Sequence, residues 1–92
     1  EKGLVLIDGK QIILTKKELG ILWLLLENKE KIFSRDNLLD SLWGYDYYGD
    51  NRTVDSHIKR LRAKLDIAPH PNWQIKTIWG MGYKFEGVNS EI

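Results

Sequence analysis

The sequence has no cysteine, only two prolines and no long apolar run among its 92 residues. Without cysteine it forms no disulfide and offers no thiolate to a metal, as expected of a protein in a reducing cytoplasm. Its longest apolar run, residues 19–26, falls far short of the roughly 20 residues that cross a bilayer. The amino end also shows no three-part signal peptide. We therefore expect a cytoplasmic protein with no membrane partner.

Metal ligands and catalytic groups are equally scarce. The two histidines, His57 and His70, have no set of ligands at metal-binding spacing around them. No nucleophile can be paired with a base from spacing. The Gly-Met-Gly at residues 80–82 is not a nucleotide fingerprint, because no helix follows it. The sequence thus predicts no enzyme, no metal site and no cofactor.

What remains is the composition of an ordinary globular domain, 42% apolar and 29% charged. A chain of this length folds as one domain, so we expect residues 1–92 to form a single unit. It opens without an initiator Met, as expected of a piece cut from a longer protein.

Positive charge is concentrated in one stretch, "RTVDSHIKRLRAKL", residues 52–65. It holds five of the fourteen Lys and Arg residues against one acid, Asp55, while the whole chain carries a net charge of only +1. Such segregation says more about partners than the net charge does.

Patterning predicts the order strand–strand, three helices, strand–strand. Two apolar runs surround Asp8-Gly9, a dipeptide typical of tight hairpin turns. Thr15 and Glu18 then form a capping box before a helix from 16 to about 28. This helix is apolar on nearly every side, so we expect it to be central and buried, with Trp23 in the core.

Two more helices and a hairpin follow. The second helix (34–43) is capped by Ser34 and carries an apolar face that ends in Trp43. Asn51 is the expected cap of the third helix, and the two prolines of residues 66–72 end it. Residues 73–86 predict a terminal hairpin with a glycine turn, which we call the wing.

A helical projection of residues 52–65 separates two faces. One is a narrow apolar stripe of Val54, Ile58, Leu61 and Leu65. The opposite side, called here the outer face, consists of Arg52, Ser56, Lys59, Arg60 and Ala63. Small residues let the backbone approach a partner while Arg and Lys reach past them, which suits the major groove of DNA. The alternative is a solvated cationic face, but Lys76 and Lys84 in the wing add a second cationic element beside it.

Four segments, "LTKKE", "SRDNLLDSLW", "RTVDSHIKRLRAKL" and "IKTIWGMGYKFE", resemble in order and spacing the OmpR/PhoB-type winged-helix effector domain of bacterial two-component response regulators. The resemblance runs from about residue 14 to 86. It implies an α+β fold, a winged helix-turn-helix with a three-helix core, an N-terminal hairpin as remnant of a small sheet, and the wing. It also implies that helix 52–65 enters the major groove of promoter DNA and that the wing touches the adjacent minor groove or backbone.

Site residues follow from the same resemblance. Its base-facing candidates are Ser56, His57 and Arg60, and its phosphate contacts are Arg52, Lys59 and Arg62. Trp43, Thr77 and Tyr83 match positions that approach the DNA backbone. The loop 44–51, with Tyr45, Tyr47 and Tyr48, matches a segment that contacts RNA polymerase in some members. Further implied partners are an absent receiver domain, its sensor kinase, and a second copy on direct-repeat DNA.

Two features depart from the family pattern. Trp79 stands where many members have an Arg that enters the minor groove, and we expect it to pack against sugar or against the wing itself. Only two strands fit before Thr15, where the family has four. A second function also stays open, a protein-interaction module that binds an acidic partner and uses the tyrosine loop.

Overall fold

The computed structural model describes residues 2–7, 9–44 and 50–87. Within these ranges, seven elements follow one another in the expected order. They are β1 (Lys2–Ile7), β2 (Lys10–Thr15), α1 (Lys16–Glu27), α2 (Arg35–Leu42), α3 (Arg52–Leu65), β3 (Trp73–Ile78) and β4 (Gly82–Gly87). β1 pairs antiparallel with β2, and β3 with β4 to form the wing. The predicted winged-helix architecture is confirmed, although Asp8 of the first turn lies outside the described residues.

Capping boxes begin two of the helices. At α1 the Glu18 amide donates to Thr15 Oγ1 at 3.2 Å, and Glu18 Oε1 accepts from the Thr15 amide at 2.9 Å. Ser34 and Asn37 repeat this exchange at α2. The caps at Thr15 and Ser34 are therefore confirmed, and both helices start where side chains satisfy their free amides.

The start of α3 corrects a prediction. Asn51 precedes the helix, but its side chain makes no capping hydrogen bond and instead contacts Arg35 and Asp36 on α2. Its backbone is already helical, at φ −68° and ψ −9°, whereas a capping side chain reaches the helix amides from an extended backbone. The Arg52 amide donates to Asp50 Oδ1 at 2.9 Å instead.

One hydrophobic core joins the three helices to both hairpins. The apolar stripe of α3 is fully buried in it, as predicted. The other members are Ile7, Ile12, Leu14, Ile21, Leu22, Leu25, Phe33, Leu38, Ala68, Ile75, Tyr83 and Phe85. Burying four aliphatic side chains of α3 contributes on the order of 6 kcal/mol or more, so this helix is firmly seated by its inner face.

The expectation for Trp23 was wrong. α1 buries one face, through residues such as Ile21 and Leu25, and Trp23 on the opposite side is 59% exposed. Trp23 follows Ile21 by about 200° around the helix, since each residue turns it by about 100°. An all-round apolar sequence therefore did not mean all-round burial.

The wing is attached to the segment between α1 and α2. Phe33 and Tyr83 exchange two backbone hydrogen bonds, of 2.8 and 2.9 Å, and the Glu30 amide donates to the Phe85 carbonyl at 2.8 Å. Gly82 makes this approach possible. Its φ is +142°, and a Cβ there would lie 2.0 Å from the Phe33 carbonyl oxygen.

No helix within the described ranges has the length and apolarity needed to cross a membrane.

Candidate nucleic-acid interface

The outer face of α3 lies open to solvent. All five of its residues, Arg52, Ser56, Lys59, Arg60 and Ala63, are exposed, as the projection predicted. Lys59 makes no hydrogen bond or ion pair with the described part of the chain. Because α3 packs through its apolar stripe and carries its cations on the opposite face, the exposed charges do not disturb the packing of the helix.

Arg52 at the start of α3 is paired with an acid. Asp50 Oδ2 lies 2.9 Å from Arg52 Nε and 2.8 Å from its Nη2. Hydrogen bonds from the Arg52 side chain and amide lower the pKa of Asp50. Both side chains are mostly exposed, so the pair contributes little to stability and a phosphate can displace Asp50.

A buried carboxylate lies beneath Arg60 and Lys64. Glu18 is only 1% exposed, and its Oε1 accepts from Lys64 Nζ at 2.6 Å while Oε2 lies 3.8 Å from Arg60 Nε. Burial alone would raise the pKa of Glu18, but the hydrogen bonds from Lys64 and from the Thr15 amide outweigh it and lower that pKa. Arg60 thus lies near this carboxylate without a hydrogen bond to it, and 54% of its side chain stays exposed.

Arg62, Thr77 and Tyr83, which the resemblance places near DNA, lie together at the junction of α3 and the wing. Arg62 Nη2 donates to Thr77 Oγ1 at 2.6 Å, and its guanidinium lies 5.4 Å from the centre of the Tyr83 ring. Tyr83 is buried, and its hydroxyl donates to Asp55 Oδ1 at 2.5 Å. Burial first, and then the bond to Asp55, raise the pKa of Tyr83 to about 12. These contacts fix the wing against α3.

His57 is held at the junction of the helices. Its ring packs edge-on against Trp43 at 5.0 Å, and its Nδ1 lies 2.8 Å from the Thr53 carbonyl oxygen. A carbonyl only accepts, so Nδ1 carries the proton and Nε2 is left to accept from a partner when the ring is neutral. Lys17 Nζ lies 5.2 Å from the centre of the Trp43 ring and donates to the Leu42 carbonyl at 2.6 Å, which places another cation beside α3.

The tip of the wing, residues 79–81, is apolar and exposed. Trp79 is 90% and Met81 58% exposed, so the expectation that Trp79 packs on the wing itself was wrong. The physical reason is that the turn carries Trp79 beyond the last strand pair, Ile78 with Gly82. An open cleft of about 490 Å³ separates this tip from the amino ends of α2 and α3.

The predicted partner loop is not described in the structure. Tyr45, Tyr47 and Tyr48 lie outside the described residues, and their part in binding stays a prediction. Among the residues that are described, no group of three or more His, Asp or Glu side chains is arranged to hold a metal ion.

The sequence analysis did not predict the carboxylates that pair with the Lys and Arg side chains of α3 and the wing. Asp50 stands two residues before Arg52, and Glu86 two residues after Lys84 on the same face of β4, so local spacing held a signal for both pairs. The contacts from Glu18 to α3 and from Glu30 to Lys84 join distant parts of the chain, and only the tertiary fold reveals them.

Comparisons with known proteins agree with this geometry. A family model described as "Transcriptional regulatory protein, C terminal" matches residues 9–85. The transcriptional regulatory protein ResD of Bacillus subtilis is 46% identical over 80 residues, which cover 86% of this chain and 33% of ResD. The chain is thus much shorter than the curated relatives it matches, spanning 33% to 36% of their length.

Solved structures share the fold. The DNA-binding domain of Bacillus subtilis CssR superposes with a TM-score of 0.78 at 37% identity, covering 89% of both chains. The DNA-binding domain of Klebsiella pneumoniae RstA, solved in complex with the RstA box, superposes with a TM-score of 0.75 at 36% identity. That match covers 90% of this chain and 82% of the RstA domain.

Proposed function

Because the chain belongs to the family of C-terminal domains of transcriptional regulatory proteins, we propose that it is the DNA-binding output domain of a two-component response regulator. It recognises a specific sequence of double-stranded promoter DNA and catalyses no reaction. The similar solved structures of CssR and RstA are DNA-binding domains, and that of RstA was solved with the RstA box.

One observation carries the proposal, the outer face of α3. Its three long side chains are cations, its two other members are small, and the face opposite is completely buried. The major groove is about 12 Å wide and accepts a helix of this kind. A domain that only needed a soluble surface would not have to segregate its charge in this way.

We assign base readout to Arg60, Ser56 and His57. Arg60 is the strongest candidate because a guanidinium can bind guanine O6 and N7 bidentately. Its side chain is 54% exposed on the outer face, so the guanidinium can reach a base edge. His57 offers Nε2 as an acceptor and is oriented by Trp43.

Phosphate contacts fall to Lys59 and Arg52. Lys59 is unpaired within the described residues, and Arg52 becomes available once a phosphate replaces Asp50. Trp43 and Lys17 extend this phosphate-binding surface along the DNA backbone. We assign Arg62, Thr77 and Tyr83 a positioning role, since Arg62 Nη2 already donates to Thr77 and the Tyr83 hydroxyl to Asp55.

Partners beyond DNA belong to the longer protein. We propose that a receiver domain and its sensor kinase control this domain, because the relatives are about three times its length. Tyr45, Tyr47 and Tyr48 in the loop 44–51 are proposed to contact RNA polymerase. A second copy is expected on a direct repeat, because one small module offers roughly 600–1,000 Å² of contact, too little for tight binding alone.

The test is a selection from a randomised duplex pool, followed by affinity measurements between 50 and 200 mM salt. If three or four phosphates are contacted, log K against log[salt] should have a slope of roughly −3, since each contact contributes about −0.9. Arg60→Ala should cost about 1–3 kcal/mol and relax the preference at one base position. Lys59→Ala, the matched control on the same face, should weaken all sequences alike and reduce the slope by about 1.

The rival is a module that binds an acidic protein surface. It predicts salt-sensitive but sequence-blind DNA binding. No motif enriched from the pool, with equal losses for the two variants on selected and random duplexes, would therefore favour the rival.

A further inference from the structure

A buried ion pair joins α1 to the last turn of α3. Glu18 is only 1% exposed, and its Oε1 accepts from Lys64 Nζ at 2.6 Å. Burial would raise the pKa of Glu18, but hydrogen bonds from Lys64 and from the Thr15 amide lower it below its ordinary value, so the carboxylate is ionised at neutral pH. The DNA contacts assigned above use neither member of this pair.

Lys64 lies on the flank of α3 that faces α1. It follows Arg60 by four residues, so it stands one turn further along the same side of the helix. His57 belongs to this flank as well, and its ring contacts Trp43. When the outer face of a helix meets base edges in the major groove, its flanks face the sugar-phosphate strands. Lys64 is therefore directed toward the strand to which Trp43 is assigned.

The pair of Lys64 and Glu18 differs in burial from the pair of Arg52 and Asp50. The Asp50 side chain is 52% exposed, so water can solvate its carboxylate when a phosphate takes Arg52. Glu18 has almost no contact with solvent, and separating a buried ion pair leaves an uncompensated charge, which is strongly unfavourable. Arg52 can thus change partner on DNA, whereas Lys64 stays with Glu18.

We propose that Glu18 is a positioning residue that withholds Lys64 from DNA, an inference that rests on the function proposed above. The domain then makes one phosphate contact fewer than the cations of α3 would allow, which lowers its affinity for DNA. Because phosphate contacts carry no sequence information, the reduction is the same for selected and random duplexes.

The experiment measures the affinity of Glu18→Gln for both kinds of duplex, by fluorescence anisotropy of labelled DNA between 50 and 200 mM salt. Gln completes a capping box as Glu does, so the variant keeps the start of α1 and loses only the charge. We expect binding about tenfold tighter at 50 mM salt and a slope of log K on log[salt] steeper by about 0.9. Glu27→Gln, the matched control, neutralises an exposed carboxylate of the same helix and should bind like the wild type.

A double variant, Glu18→Gln with Lys64→Met, assigns the gain to one side chain. It should return to the affinity and slope of the wild type. A wild-type slope for Glu18→Gln would overturn the inference. A steeper slope kept in the double variant would also overturn it, because the gain would then come from Arg60, which lies 3.8 Å from Glu18 Oε2. In either case the enriched motif and the Arg60→Ala result would still support DNA reading.

A measurement on the wild type does not depend on how the variants fold. Brief acetylation followed by mass spectrometry compares the reactivity of Lys59 and Lys64 with and without the selected duplex. We expect DNA to slow the acetylation of Lys59 severalfold and that of Lys64 less than twofold, because Lys64 pairs with Glu18 in both states. Equal protection of the two lysines would overturn the inference.

Discussion

Tyr83 joins three elements through its single hydroxyl. It lies on β4 and donates to Asp55 of α3, and Arg35 of α2 lies 3.6 Å from the same carboxylate. Because burial and the bond to Asp55 raise its pKa to about 12, this tyrosine stays protonated well above the ordinary value near 10. The hydroxyl thus remains a donor over the whole physiological range.

Tyr83→Phe tests this role through pH. An unfolded chain loses the tyrosine proton near pH 10 and the folded one near pH 12, so the bond stabilises the fold fully below pH 10 and is lost as pH rises to about 12. We expect the variant to lose about 1 kcal/mol at pH 7. Its free energy of unfolding should then fall less steeply than that of the wild type between pH 10 and 12.

Urea unfolding followed by tryptophan fluorescence, at half-unit steps of pH, measures both quantities. If the free energies of unfolding of the wild type and Tyr83→Phe fell in parallel above pH 10, the stabilising role of the Tyr83 hydroxyl would be contradicted. The effect on DNA should be indirect, with affinity reduced evenly for all sequences.

Residues of this kind mark the limit of what the sequence predicts. No local pattern predicted that Arg62 donates to Thr77 or that the Tyr83 hydroxyl donates to Asp55. Whether a polar side chain faces a partner or a neighbouring element depends on tertiary distances of a few ångströms, which no local pattern contains. Lys59, unpaired among the described residues, was correctly placed on an open surface by helical periodicity alone.

Among the structural elements, the wing depends on one glycine. Gly82 has a φ of +142° and lies against the Phe33 carbonyl, whereas Gly80 has a φ of +77° and no described atom would lie within 4 Å of a Cβ added there. Both conformations disfavour other residues, but of the two only Gly82 also lacks space. Substituting each of these two glycines by Ala therefore separates the effect of the backbone strain from that of the contact with Phe33.

We expect Gly82→Ala to cost more than about 2 kcal/mol, since strain at φ and a clash with backbone add up. Gly80→Ala should cost about 1 kcal/mol, the strain alone. Chemical unfolding checks both. DNA affinity measured on the folded fraction should drop for Gly82→Ala, because the wing detaches from Phe33. Equal losses of stability in the two variants would show that the contact with Phe33 does not matter.

Elements were also where prediction from the sequence did best. Apolar periodicity, the Thr15 and Ser34 caps and the glycine turn located all seven described elements, because these signals act within a few residues. Trp23 and the Asn51 cap failed for a different reason. The first depends on which side of α1 the core lies, and the second on the helical backbone of Asn51 and its side-chain contacts with α2.

Taken as one body, the domain is elongated, measuring 38 × 29 × 19 Å. Its two shorter dimensions are below the spacing of half-sites one turn apart, which are about 34–36 Å from centre to centre. Two copies on a direct repeat can therefore occupy the same face of the duplex without overlap if a shorter axis of each lies along the duplex.

We expect a duplex with two selected half-sites 10 or 11 base pairs apart to bind two copies more tightly than two isolated sites. Inserting five base pairs should abolish the gain, because the second copy is rotated by about half a turn to the opposite face. Electrophoretic mobility shifts resolve the singly and doubly bound species. No gain at the spacing of 10 or 11 base pairs would mean that the copies do not contact each other.

The division of α3 into a buried stripe and an open face has a consequence for how such domains diverge. The residues that fold the helix are Val54, Ile58, Leu61 and Leu65, while those proposed to read bases on the outer face, at positions 56 and 60, are exposed. These two positions can therefore mutate without touching the core, and each change can alter the preferred promoter at little cost in stability. A duplicated gene can therefore acquire new target sequences through single substitutions. A bacterium can keep the DNA specificities of many regulators with the same fold distinct by varying a few residues.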